Sequence, residues 1–277
     1  MEKIVVSGEY FDVESTLTCG QVFRWKKEEN GFTLHSGERS CRVRNEGGNA
    51  VIECEDGDAD YFARYFDLET DYGRYVTAAE ESGSEILKRA AQAGKGIRIL
   101  NQLPEEAAIS FVVSQNNRIP RIRKILNGLC EEFGGRHRLG GKEYASFPSV
   151  RVLAAQSREK YRSAGLGYRD EYILCAARAM AAGAVRGWET LPTDELCRRL
   201  CKLKGVGEKV ADCIALFGFH RFDVFPSDTW IVKLYNEDFG GEGKNAKKIA
   251  AYFAERYGNN AGIFQQYLFH YKRNVKE

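Results

Sequence analysis

Two side chains in this sequence stand where covalent chemistry on a polyanion is feasible. Lys209 is the second residue of EKVADCIALFGF, directly after Lys204-Gly205-Val206-Gly207, and Asp228 stands in Pro226-Ser227-Asp228-Thr229, ahead of TWIVKLYNEDF. The glycine-rich tetrapeptide is too short for a helix, while TDELCRRLCKL before it and EKVADCIALFGF after it both carry helical apolar spacing. The spacing predicts helix, hairpin (203–209), helix. Two glycines around one apolar residue leave N–H groups facing outward at a helix N-terminus, where a phosphate oxygen can sit. Lys204, Gly205, Val206 and Gly207 are therefore a candidate clamp for a DNA backbone. A cation in the first turn of a helix is disfavoured by roughly 0.3–1 kcal/mol, which helps the neutral, nucleophilic form of Lys209. That help is too small alone, because lowering a lysine from about 10.4 to about 7.5 takes about 4 kcal/mol. Burial and neighbouring charge must supply the remainder. Asp228 and Ser227 can each serve as the N-cap of the helix that follows.

The elements that must position these residues fall into two parts. From Ile4 to about Tyr75 the text is strand-like, in FRW, GFTLHS, SCRVRN and AVIEC, with turns at Asn30-Gly31, Ser36-Gly37 and Gly47-Gly48. This predicts an antiparallel sheet. DADYFARYF and AAEESGSEILKRAAQA then read as helix, and Gly94-Lys95-Gly96 marks the expected junction between a sheet domain (1–95) and an all-helical domain (96–277). Beyond it, PEEAAISFVVSQNN is a helix opened by Pro104 and acids. RIPRIRKILNGLCEEFGG is a helix from near Pro120 to Gly134. After a glycine-rich turn, residues 147–183 read as two helices joined by Gly165-Leu166-Gly167-Tyr168-Arg169. Thr193 or Asp194 is the expected N-cap of the helix entering the hairpin. The tail is a helix, a Gly-Asn-Asn break and a final helix. The fold class is α+β.

At Gly205-Val206-Gly207-Glu208-Lys209-Val210-Ala211-Asp212-Cys213 and Pro226-Ser227-Asp228 the sequence resembles the helix-hairpin-helix (HhH-GPD) DNA glycosylases, and within them the 8-oxoguanine DNA glycosylase/lyase family. Further motifs run collinear with that family over nearly the whole chain. The resemblance assigns roles. Lys209 is the nucleophile that forms a Schiff base, and Asp228 stabilises positive charge developing on the sugar. LTCGQVFRW gives Gly20, whose carbonyl faces N7 of the damaged base. Guanine presents an acceptor at N7 and 8-oxoguanine a donor, and a buried acceptor facing an acceptor costs about 1–3 kcal/mol. Cys213, one turn after Lys209, packs on one face of the extruded base. In AGIFQQYLF, Gln265 meets the base's pairing edge and Phe269 stacks on its other face. Asn116 fills the gap left by the extruded nucleotide, Tyr168 is the wedge, and Arg121 and Arg169 contact the orphaned cytosine. Arg118 stands where the family has a third asparagine, and Trp230 where eukaryotic members have histidine.

Composition fits these expectations. The 277 residues are 43% hydrophobic and 29% charged, as in globular proteins with substantial cores. Net charge is only +2, but residues 1–90 carry −8 and residues 91–277 carry +10, so the basic character accompanies the hairpin. Eight cysteines include no CxxC pair and no zinc spacing; Cys197 and Cys201, one helical turn apart, read as core thiols. With no targeting segment or membrane-length apolar run, the expected compartment is a reducing bacterial or archaeal cytoplasm. The expected state is a monomer on double-stranded DNA containing 8-oxoguanine, with no iron–sulfur cluster, no catalytic metal and room for a monovalent or divalent cation at the hairpin. Two rivals stand beside this reading. A glycosylase for alkylated purines or oxidised pyrimidines is one, but a monofunctional alkyl-base enzyme needs no Lys209, and the iron–sulfur relatives carry four cysteines after the aspartate, where this chain has none. A non-catalytic helix-hairpin-helix module is the other, and it has no reason to combine Lys209, Asp228, Gly20 and Phe269.

Overall fold

Strand β1 (Glu2–Ser7) half-buries every second side chain, as an edge strand with one solvated face does. The computed structural model describes residues 1–274. After β1 come a short helix, α1 (Val13–Thr18), and four strands: β2 (Trp25–Glu28), β3 (Gly31–Ser36), β4 (Arg39–Glu46) and β5 (Asn49–Cys54). They form one antiparallel sheet in the order β1-β5-β4-β3-β2, with hairpin turns at the three glycine sites expected. At Gly31 the requirement is steric as well as conformational: φ is 111°, and a Cβ would lie 2.5 Å from the Val43 carbonyl oxygen. Phe32, Leu34, Cys41, Val43, Ile52 and Cys54 line the inner face, which α1 and α2 (Ala59–Tyr65) cover with Leu17, Phe62 and Tyr65. The FRW stretch is a strand only from Trp25, because Phe23 and Arg24 turn inward toward the helices.

The helical part opens earlier than residue 96. Helices α3 (Gly73–Glu80) and α4 (Glu85–Gly94) replace the continuous run expected here, broken at Gly83 with φ of 70°, after which the Ser84 hydroxyl caps α4. Both pack on the last helix of the chain. Tyr72, Tyr75, Leu87 and Ala91 accordingly belong to the helical core, whereas Leu100 belongs to the sheet's core.

Helix α5 (Pro104–Ser114) is buried through most of its length, and α6 (Ile119–Phe133) ends at Gly134 as its sequence predicts. What read as a glycine-rich turn is a β-hairpin, β6 (Arg136–Leu139) and β7 (Lys142–Ala145), docked on β4. Residues 147–183 form three helices rather than two: α7 (Val150–Ala154), α8 (Arg158–Ser163) and α9 (Arg169–Ala181). The extra break arises because the Ser157 hydroxyl caps α8 by accepting from the Lys160 N–H at 3.3 Å. Next is α10 (Thr193–Leu200), whose N-cap is Pro192 and not Thr193 or Asp194; the Thr193 hydroxyl instead donates to Asp223 at 2.9 Å. The chain ends in α11 (Glu208–Gly218), α12 (Thr229–Asp238), α13 (Ala246–Tyr257) and α14 (Ala261–Asn274). Among the described residues no helix is long and apolar enough to cross a membrane.

A buried polar seam joins the two parts. Arg24 donates to Glu106 on α5 at 2.9 Å and to the Ala145 carbonyl at 3.0 Å, while the second Glu106 oxygen accepts from the Gly37 N–H at 2.7 Å. Beside it, His35 and His137 each bond the Ser40 hydroxyl, and His137 also bonds Ser146 at 3.0 Å.

Candidate active site

The hairpin between α10 and α11 contains two glycines with different reasons. Gly205 has φ of 85°, and a Cβ there would lie 2.3 Å from the Tyr172 ring, so the fold itself demands glycine. Gly207, the N-cap of α11, has φ of −90°, and a Cβ would meet nothing within 4 Å. Its bare backbone leaves the first N–H groups of α11 open to an approaching phosphate. Val206 is buried as the anchor of the turn. Lys204 forms an exposed ion pair with Glu171 on α9. Gln115, at the end of α5, braces the hairpin by donating to the Gly205 carbonyl at 2.8 Å. Sequence reasoning missed Gln115; its only signal was its place just before Asn116.

A cleft of about 1210 Å³ opens beside the hairpin, and Asn116, Tyr168, Gly207, Lys209 and Asp228 all line it. Lys209, in the first turn of α11, is half-buried with Nζ 5.8 Å from the centre of the Phe111 ring. Its environment corrects the expected direction of its titration. Burial favours the neutral amine, but the Cys213 sulfur and the Asp228 carboxylate favour the ammonium, and the balance holds the group above its ordinary value. A proton must therefore leave Lys209 before it can attack. Burial also pushes the Cys213 thiol up.

Asp228 combines the two readings of it. One oxygen caps α12, accepting from the Trp230 N–H at 2.9 Å and the Ile231 N–H at 3.1 Å. Its other oxygen has no hydrogen-bond partner among the described residues. Ser227 does not cap; its hydroxyl donates to the Phe225 carbonyl at 3.3 Å. No ion pair joins Lys209 to Asp228, and both line the cleft.

The expected base-pocket residues Gly20, Cys213, Gln265 and Phe269 lie outside the lining of this cleft, and of them Gly20 and Phe269 are brought together. Gly20 has φ of 97°, and a Cβ on it would lie 3.7 Å from the Phe269 ring and 3.3 Å from the Arg273 guanidinium. The fold thus sets the first motif of the sheet domain against the last helix. Arg273, which sequence reasoning also missed, fixes this contact by donating to the Thr18 carbonyl at 2.8 Å, with its guanidinium 5.5 Å from the centre of the Phe269 ring. Cys213 is buried, and Gln265 donates to the Pro226 carbonyl at 3.0 Å.

Tyr168 is 55% exposed in the cleft, following Gly165 and Gly167, both in left-handed conformations. Arg169 behind it is only 3% exposed. Its Nε donates to the Gln115 carbonyl at 3.0 Å, Nη2 donates to the Asn116 carbonyl at 3.0 Å, and the guanidinium stacks 4.4 Å from the Tyr168 ring. Arg169 therefore holds the Asn116 loop, with its guanidinium turned onto the Gln115 and Asn116 carbonyls. Asn116, at φ of 45°, is exposed, and exposed Arg121 makes a single long bond of 3.4 Å to the Gly165 carbonyl.

Residues 3–107 match the family model for the 8-oxoguanine DNA glycosylase N-terminal domain, and residues 109–259 match that for the HhH-GPD superfamily base excision DNA repair protein. The chain belongs to the 8-oxoguanine DNA glycosylase family. It is 31% identical to the N-glycosylase/DNA lyase OGG1 of Arabidopsis thaliana, over 92% of this chain and 75% of the relative. A probable N-glycosylase/DNA lyase of Methanothermobacter thermautotrophicus is 28% identical over 95% of this chain and 94% of its own length. The solved 8-oxoguanine glycosylase/lyase of Clostridium acetobutylicum, in complex with double-stranded DNA containing cytosine opposite 8-oxoG, superposes with a TM-score of 0.90 at 35% identity. That match covers 96% of this chain and 92% of the other.

Asp212 is a further titratable residue on α11, three positions after Lys209. It lines the cleft one turn from Glu208, and burial, then the Glu208 charge, pushes its carboxyl up to about 6. The two departures from the family pattern are both at the surface: Arg118 is exposed at the N-cap of α6, and Trp230 is 38% exposed.

Proposed function

We infer that this chain is a bifunctional DNA repair enzyme that excises 8-oxoguanine from double-stranded DNA and then cleaves the strand. The observation that carries the reading is the placement of Lys209 and Asp228 on one cleft wall, without an ion pair between them, beside a hairpin whose Gly207 leaves backbone N–H groups open. The hairpin takes the phosphate backbone, and Tyr168 and Asn116 occupy the space of the extruded nucleotide, offsetting part of the few kcal/mol of unstacking. Lys209, once deprotonated, attacks C1′ of that nucleotide. The C1′–N9 bond breaks, the base leaves with the electron pair and takes up a proton, and the sugar ring opens to a Schiff base. Loss of a C2′ proton then forms a C2′–C3′ double bond and breaks the C3′–O3′ bond, so that the 3′-side strand leaves bearing a 5′ phosphate. The free oxygen of Asp228 faces the positive charge on the sugar in both stages.

Gly20 against Phe269 supports a pocket in which a backbone carbonyl and an aromatic face meet the base. Arg121 supports a preference for cytosine opposite the lesion. The amine supplies the nucleophile, so the chemistry calls for no redox cofactor or catalytic metal. A monovalent or divalent cation at the hairpin is compatible with the Leu203 and Gly205 carbonyls, each of which accepts one hydrogen bond and keeps a second lone pair. All eight cysteines are free thiols, in keeping with a reducing compartment.

Borohydride trapping tests the reading, with duplexes carrying 8-oxoguanine opposite each normal base, undamaged guanine or an abasic site. The expected result is an adduct with 8-oxoguanine opposite cytosine that disappears in Lys209→Gln. An adduct at the abasic site alone keeps the lyase chemistry and overturns the lesion, whereas no adduct on any duplex overturns the enzyme.

A further inference from the structure

Gln266 is 4% exposed, and its Oε1 is buried without a hydrogen-bond partner. Its neighbour Gln265 is equally buried, and the two amides are tied in one direction. Gln265 Nε2 lies 3.0 Å from the Pro226 carbonyl, which can only accept, so that end of Gln265 is its NH₂ group. Gln265 Oε1 then accepts from Gln266 Nε2 at 2.7 Å, which leaves Gln266 Oε1 as the orphan. One hydrogen on Gln265 Nε2 and one lone pair on its Oε1 remain available.

We propose that Gln266 is a positioning residue that locks the Gln265 amide in one orientation and so decides which purine pairing edge the base pocket accepts. This rests on the reading that Gln265 meets the pairing edge of the extruded base. An amide can bond either purine edge through two parallel hydrogen bonds, but in opposite orders. A guanine-type edge needs the amide oxygen on N1–H and the NH₂ group on O6. An adenine-type edge needs the NH₂ group on N1 and the oxygen on the 6-amino group. The two orders differ by a half-turn of the amide. The Pro226 carbonyl resists that turn at one end of the Gln265 amide, and Gln266 adds a second hold at the other, because the turn sets the NH₂ groups of Gln265 and Gln266 donor against donor. The orphaned oxygen points the same way. An apolar side chain of the same length would fill the site of Gln266 without leaving a buried acceptor unpaired, so the amide does not serve stability.

Gln266→Met keeps the length and removes the amide. Single-turnover excision is measured on duplexes containing 8-oxoguanine or 8-oxoadenine opposite cytosine, with melting temperatures alongside. The expected result is a roughly two- to tenfold fall in the rate ratio, 8-oxoguanine over 8-oxoadenine, the scale of one hydrogen bond, with Tm unchanged or higher. Gln265→Ala separates the two ways to fail. A ratio that holds in Gln266→Met but falls in Gln265→Ala overturns the lock and keeps the base contact. A ratio that holds in both shows that Gln265 does not read the pairing edge, and both ideas fall. If Gln266→Met melts lower, Gln266→Leu is the second variant, and destabilisation in both overturns the proposal by making the amide a structural group.

Discussion

The seam between sheet and helices and the cleft beside the hairpin handle buried charge in opposite ways. At the seam, Arg24 and Glu106 satisfy each other and the Ala145 and Gly37 backbone, and none of their buried atoms is left without a partner. In the cleft, Lys209 and Asp228 stand near one another without pairing, Asp228 keeps one oxygen free, and Tyr168 exposes its ring. The seam is built to stay shut. The cleft holds Lys209 and Asp228 in place through the backbone, by the first turn of α11 and the N-cap of α12, with the Lys209 amine beside the Cys213 sulfur and one Asp228 oxygen left without a partner. Positioning by the main chain is what allows a charged side chain to be ordered and available at once.

Lys209→Gln should break the cleft most completely, removing the borohydride adduct and slowing single-turnover excision by at least on the order of 10³, with damaged-DNA binding retained. Near wild-type excision would end the assignment. At the seam, Arg24→Met leaves the Glu106 carboxylate buried and unpaired, and chemical denaturation should show a loss of about 3–5 kcal/mol, with the rate per folded molecule unchanged. An excision defect in the folded fraction would mean that the seam also shapes the site. Asp228→Asn preserves the cap, since asparagine caps as well as aspartate, while removing the charge. The chemical step should slow on the order of 10²–10³ at unchanged Tm. A normal rate would leave Asp228 as a cap alone.

Titration sharpens the contrast with smaller effects of opposite sign. Burial, then the charges of Arg24 and His137, lowers His35 at the seam to about 3. Its folded pKa lies below the unfolded value, so the unfolded chain binds the proton more readily. Stability from a neutral His35 is present above about pH 6.5 and is lost as pH falls toward 3. His35→Gln should flatten that part of the Tm–pH curve. In the cleft, Asp212 is raised to about 6, so the folded protein holds its proton more tightly, and stability falls as pH rises from about 4 to 6. Asp212→Asn should gain Tm at pH 7 and remove this slope; a slope that survives would place the proton elsewhere.

Local pattern was enough for the sheet's turns, the helix-hairpin-helix and the span of α6, because each follows from glycine placement or a 3.6-residue period. Residues 136–145 were harder, since two four-residue strands beside Gly134-Gly135 and Gly140-Gly141 carry too little alternation to outweigh their turn signals. Ser157 was a cap hidden inside an apparently continuous helix, and Pro192 took the cap position because Thr193 found Asp223, 30 residues away. Lys209 and Asp228 could be picked out as candidates from the residues, and the family resemblance supplied their expected roles. The direction of Lys209's titration could not be read this way, because it depends on Cys213 and Asp228 converging on one nitrogen. Arg169 likewise reads as an exposed cation next to an exposed tyrosine until the fold turns it back onto the Gln115 and Asn116 carbonyls.

The sequence by itself determined the chemistry that is possible here: an amine at a helix N-terminus, a carboxylate before the next helix, and a glycine hairpin for phosphate. Those are local properties, set by residue type and by neighbours within a turn or two. Only the tertiary structure decided that Gly20 meets Phe269, that Gln265 bonds both Gln266 and the Pro226 carbonyl, and that Lys209 and Asp228 line one cleft. Contacts between distant segments and the burial they create set protonation and orientation, and no window of sequence contains them.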